Sequence, residues 1–203
     1  MLTRFATIIS YILHPLLMPT LLLFIIFGSD TYITLSIPAA VQKTIYALVL
    51  VTTVLIPVST SLYLYRKGVL KTMQMESIEE RKIPYIITSL FYFFTYYLLR
   101  KVHVSSILSV LFLGATVALV STMIINLKWK ISAHMVGIGG VIGALVGISL
   151  RLFIDFRILI IVFLLLAGVI GTARMLLKAH NPSQIYIGFL VGCASQLLLF
   201  FIA

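Results

Sequence analysis

The chain has 203 residues, of which 62% are apolar and 10% charged, and its mean hydropathy is +1.19. A soluble domain is nearer half apolar and about a quarter charged. The composition therefore excludes an ordinary soluble globule, a disordered chain and a nucleic-acid-binding domain. The net charge of +10 comes from 15 basic residues set among long apolar runs, the pattern of charge that flanks a membrane. One cysteine, Cys193, excludes an internal disulfide and a cysteine-based zinc site.

A membrane helix needs roughly 20 apolar residues. Seven stretches meet that need: 5–27, 45–65, 83–99, 105–127, 132–150, 158–177 and 183–203. The expected fold is an all-α polytopic membrane bundle, one domain over 1–203, with six core helices and an extra N-terminal span. That first span is expected to be retained, because its apolar run is too long for a signal peptide and Gly28-Ser29-Asp30 is not a small-x-small cleavage site. His14, Pro15 and Pro19 are expected to kink it or make it re-entrant. Span 83–99 is short and aromatic, which suits a tilted or interfacial helix. The connections are short except 28–44 and 66–82. The second of these is the most polar part of the chain and reads most simply as an interfacial segment held to anionic head groups.

With seven spans, one side of the membrane carries ten basic residues and the other five. The positive-inside rule puts the ten inside, but basic residues that bind a phosphate would raise the count on whichever side they lie, so the topology stays open. The expected location is an integral, bacterial inner membrane protein.

Three polar clusters fall on the same predicted side. Arg81-Lys82-Ile83-Pro84 opens the third span. Lys128-Trp129-Lys130-Ile131-Ser132-Ala133-His134 opens the fifth. The last cluster runs from Arg174 through His180 to Gln184, between the sixth and seventh. Pro84 suits the first turn of a helix, and Ser132 suits an N-cap. Asn181-Pro182-Ser183-Gln184 reads as an N-cap, a proline at the first helical position and a glutamine that closes a capping box. Three helix N-termini then face one membrane surface and offer free N–H groups and positive dipole ends to an anion. Arg81, Lys130 and Arg174 add charge, and an arginine grips phosphate oxygens bidentately. His134 and His180 titrate near neutrality and fit a nucleophile paired with a general acid. One of Glu79 and Glu80, just before Arg81, is expected to neutralise a basic group of the empty site or to supply it with an acid, the plain alternative being a solvated loop. Gly139, Gly143 and Gly147 on the fifth span, and Gly188 and Gly192 on the seventh, are small-xxx-small faces that let helices approach closely.

These residues resemble the type 2 phosphatidic acid phosphatase superfamily. Its motifs are Lys-x6-Arg-Pro, Pro-Ser-Gly-His and Ser-Arg-x5-His-x3-Asp. Ala173-Arg174, five residues, His180, three residues and Gln184 keep the third spacing throughout, and Ile131-Ser132-Ala133-His134 keeps the Ser and His of the second. Set on Pro84, the first motif has Ile83 at its Arg position and Glu76 at its Lys position, with Arg81 three residues before the proline. The motifs span about 81–184, and the helix pattern extends the likeness over a core of about 45–203. The resemblance implies that His180 attacks phosphorus and His134 protonates the leaving oxygen. It also implies that Arg174, Ser132 and the backbone near Ala133 hold the phosphate, with Arg81 or Lys82 standing in for the first motif. Gln184 takes the place of an aspartate that would orient the nucleophile.

The leading expectation is a membrane phosphatase acting on a lipid phosphate or a polyprenyl diphosphate, with membrane lipids as its surroundings and no metal or cofactor. A second class is a lipid-phosphate binder or carrier of the same fold without turnover, which Ile83, Glu76 and Gln184 favour. A third is a bis-histidine haem protein using His134 and His180, against which Arg174 and the lack of a second histidine pair argue. His14 reads as structural, His103 as interfacial, and Asp155 as a surface ion pair with its neighbouring arginines.

Overall fold

The computed structural model describes residues 2–75, 77–103 and 105–202. Ten α-helices and no strand occur among them. Six stretches are long and apolar enough to cross a membrane: Leu2–Gly28, Ala39–Arg66, Ser106–Asn126, Ala133–Leu152, Arg157–Leu176 and Pro182–Ile202. The protein is a helical, polytopic membrane-type bundle. The remaining expected span, 83–99, lies inside a helix of 24 residues, Ile78–Lys101. At 1.5 Å per residue it has the length to cross, but Glu79, Glu80, Arg81 and Lys82 in its first turns and Arg100 and Lys101 in its last make it the most polar of the long helices.

The first stretch is not one helix. α1 (Leu2–Ile12) ends before His14, a 3₁₀ turn covers Pro15–Leu17, and α2 runs over Met18–Gly28. Pro15 lacks the N–H that would continue the ladder and drives the residue before it out of the helical region; His14 accordingly sits at φ −66°, ψ 136°. Its Nδ1 accepts a hydrogen bond from the Leu16 amide at 3.3 Å, and Pro19 is placed in the first turn of α2. The halves pack on different partners, α1 on the helix Arg157–Leu176 and α2 on the helices beginning at Ala39 and Ala133.

The expected loop 28–44 is shorter than read. It holds the short helix α3 (Tyr32–Ser36), and α4 already starts at Ala39 and runs to Leu50. The polar run Gln42-Lys43-Thr44 hid that turn, although the Gln42 amide donates to Thr34 O and Ile37 O and so ties the two helices together. A π turn (Val51–Leu55) joins α4 to α5 (Ile56–Arg66) just ahead of Pro57, which cannot donate to the preceding turn. The Thr95 hydroxyl donates to that of Thr52 at 2.7 Å and anchors this turn to the next helix.

α6 (Ile78–Lys101) and α7 (Ser106–Asn126) form one antiparallel pair. The tightest contact is between α8 (Ala133–Leu152) and α10 (Pro182–Ile202). It follows from their glycines. A Cβ on Gly139 would overlap the Phe189 carbonyl, one on Gly143 would lie 2.5 Å from the Cys193 carbonyl oxygen, and one on Gly192 would overlap the Val136 carbonyl. Residue numbers rise together along the two helices, so they run parallel and start at the same end. α9 (Arg157–Leu176) runs between them in the chain and delivers Arg174 to that end. The sequence readings of the two small-residue faces thus meet in one seam.

A cationic cavity at the shared helix ends

The N-termini of α6, α8 and α10 are joined by hydrogen bonds. The Arg81 guanidinium donates through Nη1 to Ile131 O at 3.1 Å, and the Ser132 amide donates to Gln184 O at 3.3 Å. Beneath them is a cavity of about 210 Å³, partly open to the outside. Arg81, Ala133, His134, Arg174 and His180 line its polar end, while Leu22, Tyr92, Leu111 and Phe112 line its apolar depth between the helices.

His180 reaches the cavity through two local motifs. α9 closes with Ala179 N donating to Arg174 O at 3.0 Å and Lys178 N to Met175 O at 2.9 Å. This is a Schellman-type stop, with Lys178 in the left-handed region at φ 51°. The chain then turns directly into the capping box of α10. The Gln184 amide donates to Asn181 Oδ1 at 2.9 Å, and the Asn181 amide donates to Gln184 Oε1 at 3.3 Å. A backbone N–H can only donate, so the Gln184 atom it meets is the oxygen. The same oxygen lies 3.0 Å from His180 Nδ1. Nδ1 therefore carries the proton, and Nε2 keeps its lone pair. Burial, reinforced by the charges of Arg81, Arg174 and Lys130, pushes the His180 imidazole down to about 3 against the opposing pull of the Gln184 bond. The ring is neutral at pH 7.

Arg81 is buried and partly committed to structure, since its Nε also donates to Met75 O at 2.8 Å. Arg174 is less committed. Its Nη1 donates to the Ser10 hydroxyl at 3.3 Å, and its buried Nε has no hydrogen-bond partner. His134 Nε2 lies 3.0 Å from the Ser10 carbonyl oxygen and donates to it.

The other expected site residues stand further back. Gln184 sits behind His180 and does not line the cavity. Ser132 occupies the N-cap position of α8, but its side chain makes no capping bond, and its fully buried hydroxyl oxygen has no partner and does not face the cavity. Lys130 is half-buried and acts on His180 through its charge. Lys82 is exposed and does not line the cavity. Glu76 lies outside the described residues.

The expected glutamate in the site is corrected. Glu79 is exposed, and Glu80 turns back on the loop before it. The Glu80 carboxylate accepts from the amides of Ser77 (3.1 Å), Lys71 (2.6 Å) and Thr72 (3.2 Å) and from the Ser77 hydroxyl (3.1 Å). These bonds, the Ser77 amide's first, hold it well below the usual carboxylate range, at about 2. It is the fastener of loop 66–82 and the second half of the α6 capping box. No aspartate or glutamate lines the cavity among the described residues. Nor do three His, Cys, Asp or Glu side chains among them gather closely enough to hold a metal ion. Asp155 pairs with Arg157 at 2.6 Å on the exposed surface, the local ion pair expected of it.

Sequence reasoning missed Ser10 and His14. The His14 ring packs edge-on to His134 with centroids 5.6 Å apart, and it lines the cavity. The available signal was a histidine before a proline inside an apolar run, which marks a helix end where backbone carbonyls lack intrahelical donors. No family model, curated protein or solved structure matches the chain.

Proposed function

We propose that the cavity handles the phosphate end of a lipid phosphate or diphosphate, and that His180 is the nucleophile of a phosphatase reaction. The observation that carries this reading is the His180 ring. It is neutral, its Nδ1–H is held by Gln184, which leaves Nε2 as the nucleophilic nitrogen, and the residue lines a wall shared with Arg81 and Arg174. The apolar depth of the cavity suits the adjoining lipid chain. The resemblance to the type 2 phosphatidic acid phosphatases rests on the same residues.

In this reading Arg174 and Arg81 hold the phosphoryl oxygens, and their charge offsets that of the transition state. His180 Nε2 forms a bond to phosphorus as the bond to the lipid oxygen breaks. His134 gives that oxygen a proton, and the lipid alcohol leaves. Water then attacks the phosphohistidine, its proton passes to His134, the P–N bond breaks, and inorganic phosphate and neutral His180 remain. Gln184 fixes the nucleophile's tautomer but brings no negative charge to the ring as it becomes cationic. In the serine-protease template, exchanging the orienting aspartate for an amide costs ~10⁴ in rate.

The wild type is therefore expected to be slow, and Gln184→Asp to raise phosphate release by up to ~10²–10⁴. The substitution places a negative charge in the first turn of α10, where the helix dipole favours it. The assay is phosphate release from phosphatidic acid, phosphatidylglycerol phosphate and a polyprenyl diphosphate in detergent micelles. No release from any of them by a folded Gln184→Asp variant would refute turnover. A second reading, a lipid-phosphate binder without turnover, is favoured by the absence of a carboxylate from the described cavity lining. It predicts saturable binding of the same lipids with no release from either form.

A further inference from the structure

Two groups that would meet oxygens of the phosphate ester, Arg174 Nη1 at a phosphoryl oxygen and His134 Nε2 at the leaving oxygen, both already hold one residue of the N-terminal segment. Ser10 offers its hydroxyl oxygen to the first at 3.3 Å and its carbonyl oxygen to the second at 3.0 Å. Two oxygens of one buried residue, presented to an arginine and a histidine, reproduce what two oxygens of a phosphate would present. We infer that Ser10 occupies the phosphate position of the cavity when no phosphate is bound, and that a bound phosphate group displaces it by moving α1. The inference rests on the phosphate reading above and adds to it an internal competitor for the site.

Three observations make Ser10 a displaceable occupant rather than a fixed wall. The first is the weakness of its hold. The Arg174 contact is a single long bond to a neutral acceptor, and the arginine's buried Nε remains without a partner. An anionic oxygen pair would give shorter, charge-assisted and bidentate bonds, so exchange is favoured.

The second is the joint. α1 ends at Ile12, and the chain passes through His14 and the 3₁₀ turn Pro15–Leu17 before α2 begins. With no continuous helix across this point, α1 can shift without carrying α2 along. α2 is fixed separately, in part by the Tyr46 hydroxyl, which donates to Leu23 O at 3.3 Å.

The third is the surroundings of α1. It packs chiefly on α9, while Phe5, Ile8, Tyr11 and Ile12 are exposed on its outer side. An apolar outer face in lipid has no specific partner to lose when the helix moves. The Ser10 hydroxyl also has an acceptor to keep after displacement, since it donates to Ala6 O at 2.9 Å within its own helix.

A ligand that must displace an occupant binds more weakly by the fraction of molecules already open. Removing the hydroxyl should relax that penalty, so Ser10→Ala is expected to bind tungstate, a phosphate mimic, about two- to tenfold more tightly than wild type. Movement is read separately. The chain's one cysteine is first replaced, Cys193→Ala, and Ser10→Cys is added. The rate of thiol alkylation is then followed in detergent with and without saturating tungstate. The expected result is slow alkylation without tungstate and an acceleration of at least several-fold with it. Saturable tungstate binding with unchanged or slower alkylation, or with no gain in affinity in Ser10→Ala, would overturn the displacement and leave the phosphate reading standing. Absence of tungstate binding from wild type and Ser10→Ala alike would overturn both.

Discussion

Gly192→Ala is expected to lower the thermal stability of the purified protein markedly, while Gly140→Ala on the facing helix leaves it unchanged or slightly raised. The two glycines sit in the same seam between α8 and α10. A Cβ on Gly192 would overlap the Val136 carbonyl oxygen and come within 2.8 Å of the Gly140 amide nitrogen. Both are backbone atoms and cannot rotate away, so the helices must separate. Overpacking of this kind typically costs about 1–3 kcal/mol and occasionally more. In lipid the close approach of the backbones is itself the main source of helix association. A Cβ on Gly140 meets nothing nearer than Gly192 O at 3.9 Å, and replacing a mid-helix glycine by alanine recovers roughly 0.5–1 kcal/mol of backbone entropy. Melting of the helical circular dichroism signal in a mild detergent separates the two outcomes. Because the seam sets the positions of Ser132 and Gln184, Gly192→Ala should also weaken tungstate binding.

Arg174→Gln is expected to weaken binding of tungstate or a lipid phosphate by about 10–100-fold, the loss of a charge-assisted hydrogen bond of roughly 1.5–3 kcal/mol, with little change in melting temperature. Arg81→Gln is expected to behave differently. Arg174 makes a single long bond to Ser10 and has a buried Nε without a partner, so its guanidinium supports little of the fold. Arg81 ties loop 66–82 to the start of α8 through Met75 O and Ile131 O. Its removal leaves those acceptors unpaired at a buried position, which costs stability as well as charge. Titration of both variants with tungstate, alongside their melting curves, tests the distinction. Equal effects of the two substitutions on melting would contradict the division of labour described here.

The features legible in the sequence were those set by local chemistry. Spacing of four between glycines marks a close-packing face wherever it occurs on an apolar helix, and both faces were found. Asn181-Pro182-Ser183-Gln184 specifies its own capping box, and from that box the reach of Gln184 to His180 follows. The helix break at His14-Pro15 was legible for the same reason, because proline removes a donor and restricts its predecessor. Its destination was not. A break tells where carbonyls become free and says nothing of which helix will lie opposite, so Ser10 carries no signal of its own and His14 reads as merely structural. Glu80 was misjudged because its proximity to Arg81 in sequence suggested a charge pair. Four nearby hydrogen-bond donors hold its carboxylate instead, and the residue three places from Ser77 completes a capping box. α4 was shortened in the reading because Gln42, Lys43 and Thr44 interrupt the apolar run, though a polar first turn is compatible with a helix entering a membrane.

Capture of a phosphorylated protein during turnover decides whether His180 acts as the proposed nucleophile. Purified Gln184→Asp protein is mixed with a lipid phosphate carrying a labelled phosphoryl group and quenched in alkali, where phosphohistidine survives, and the labelled residue is located by peptide mapping. Label is expected on His180 during turnover, and none in the same protein carrying His180→Ala. Phosphate release without label on His180, or label that persists when His180 is replaced, would contradict that role.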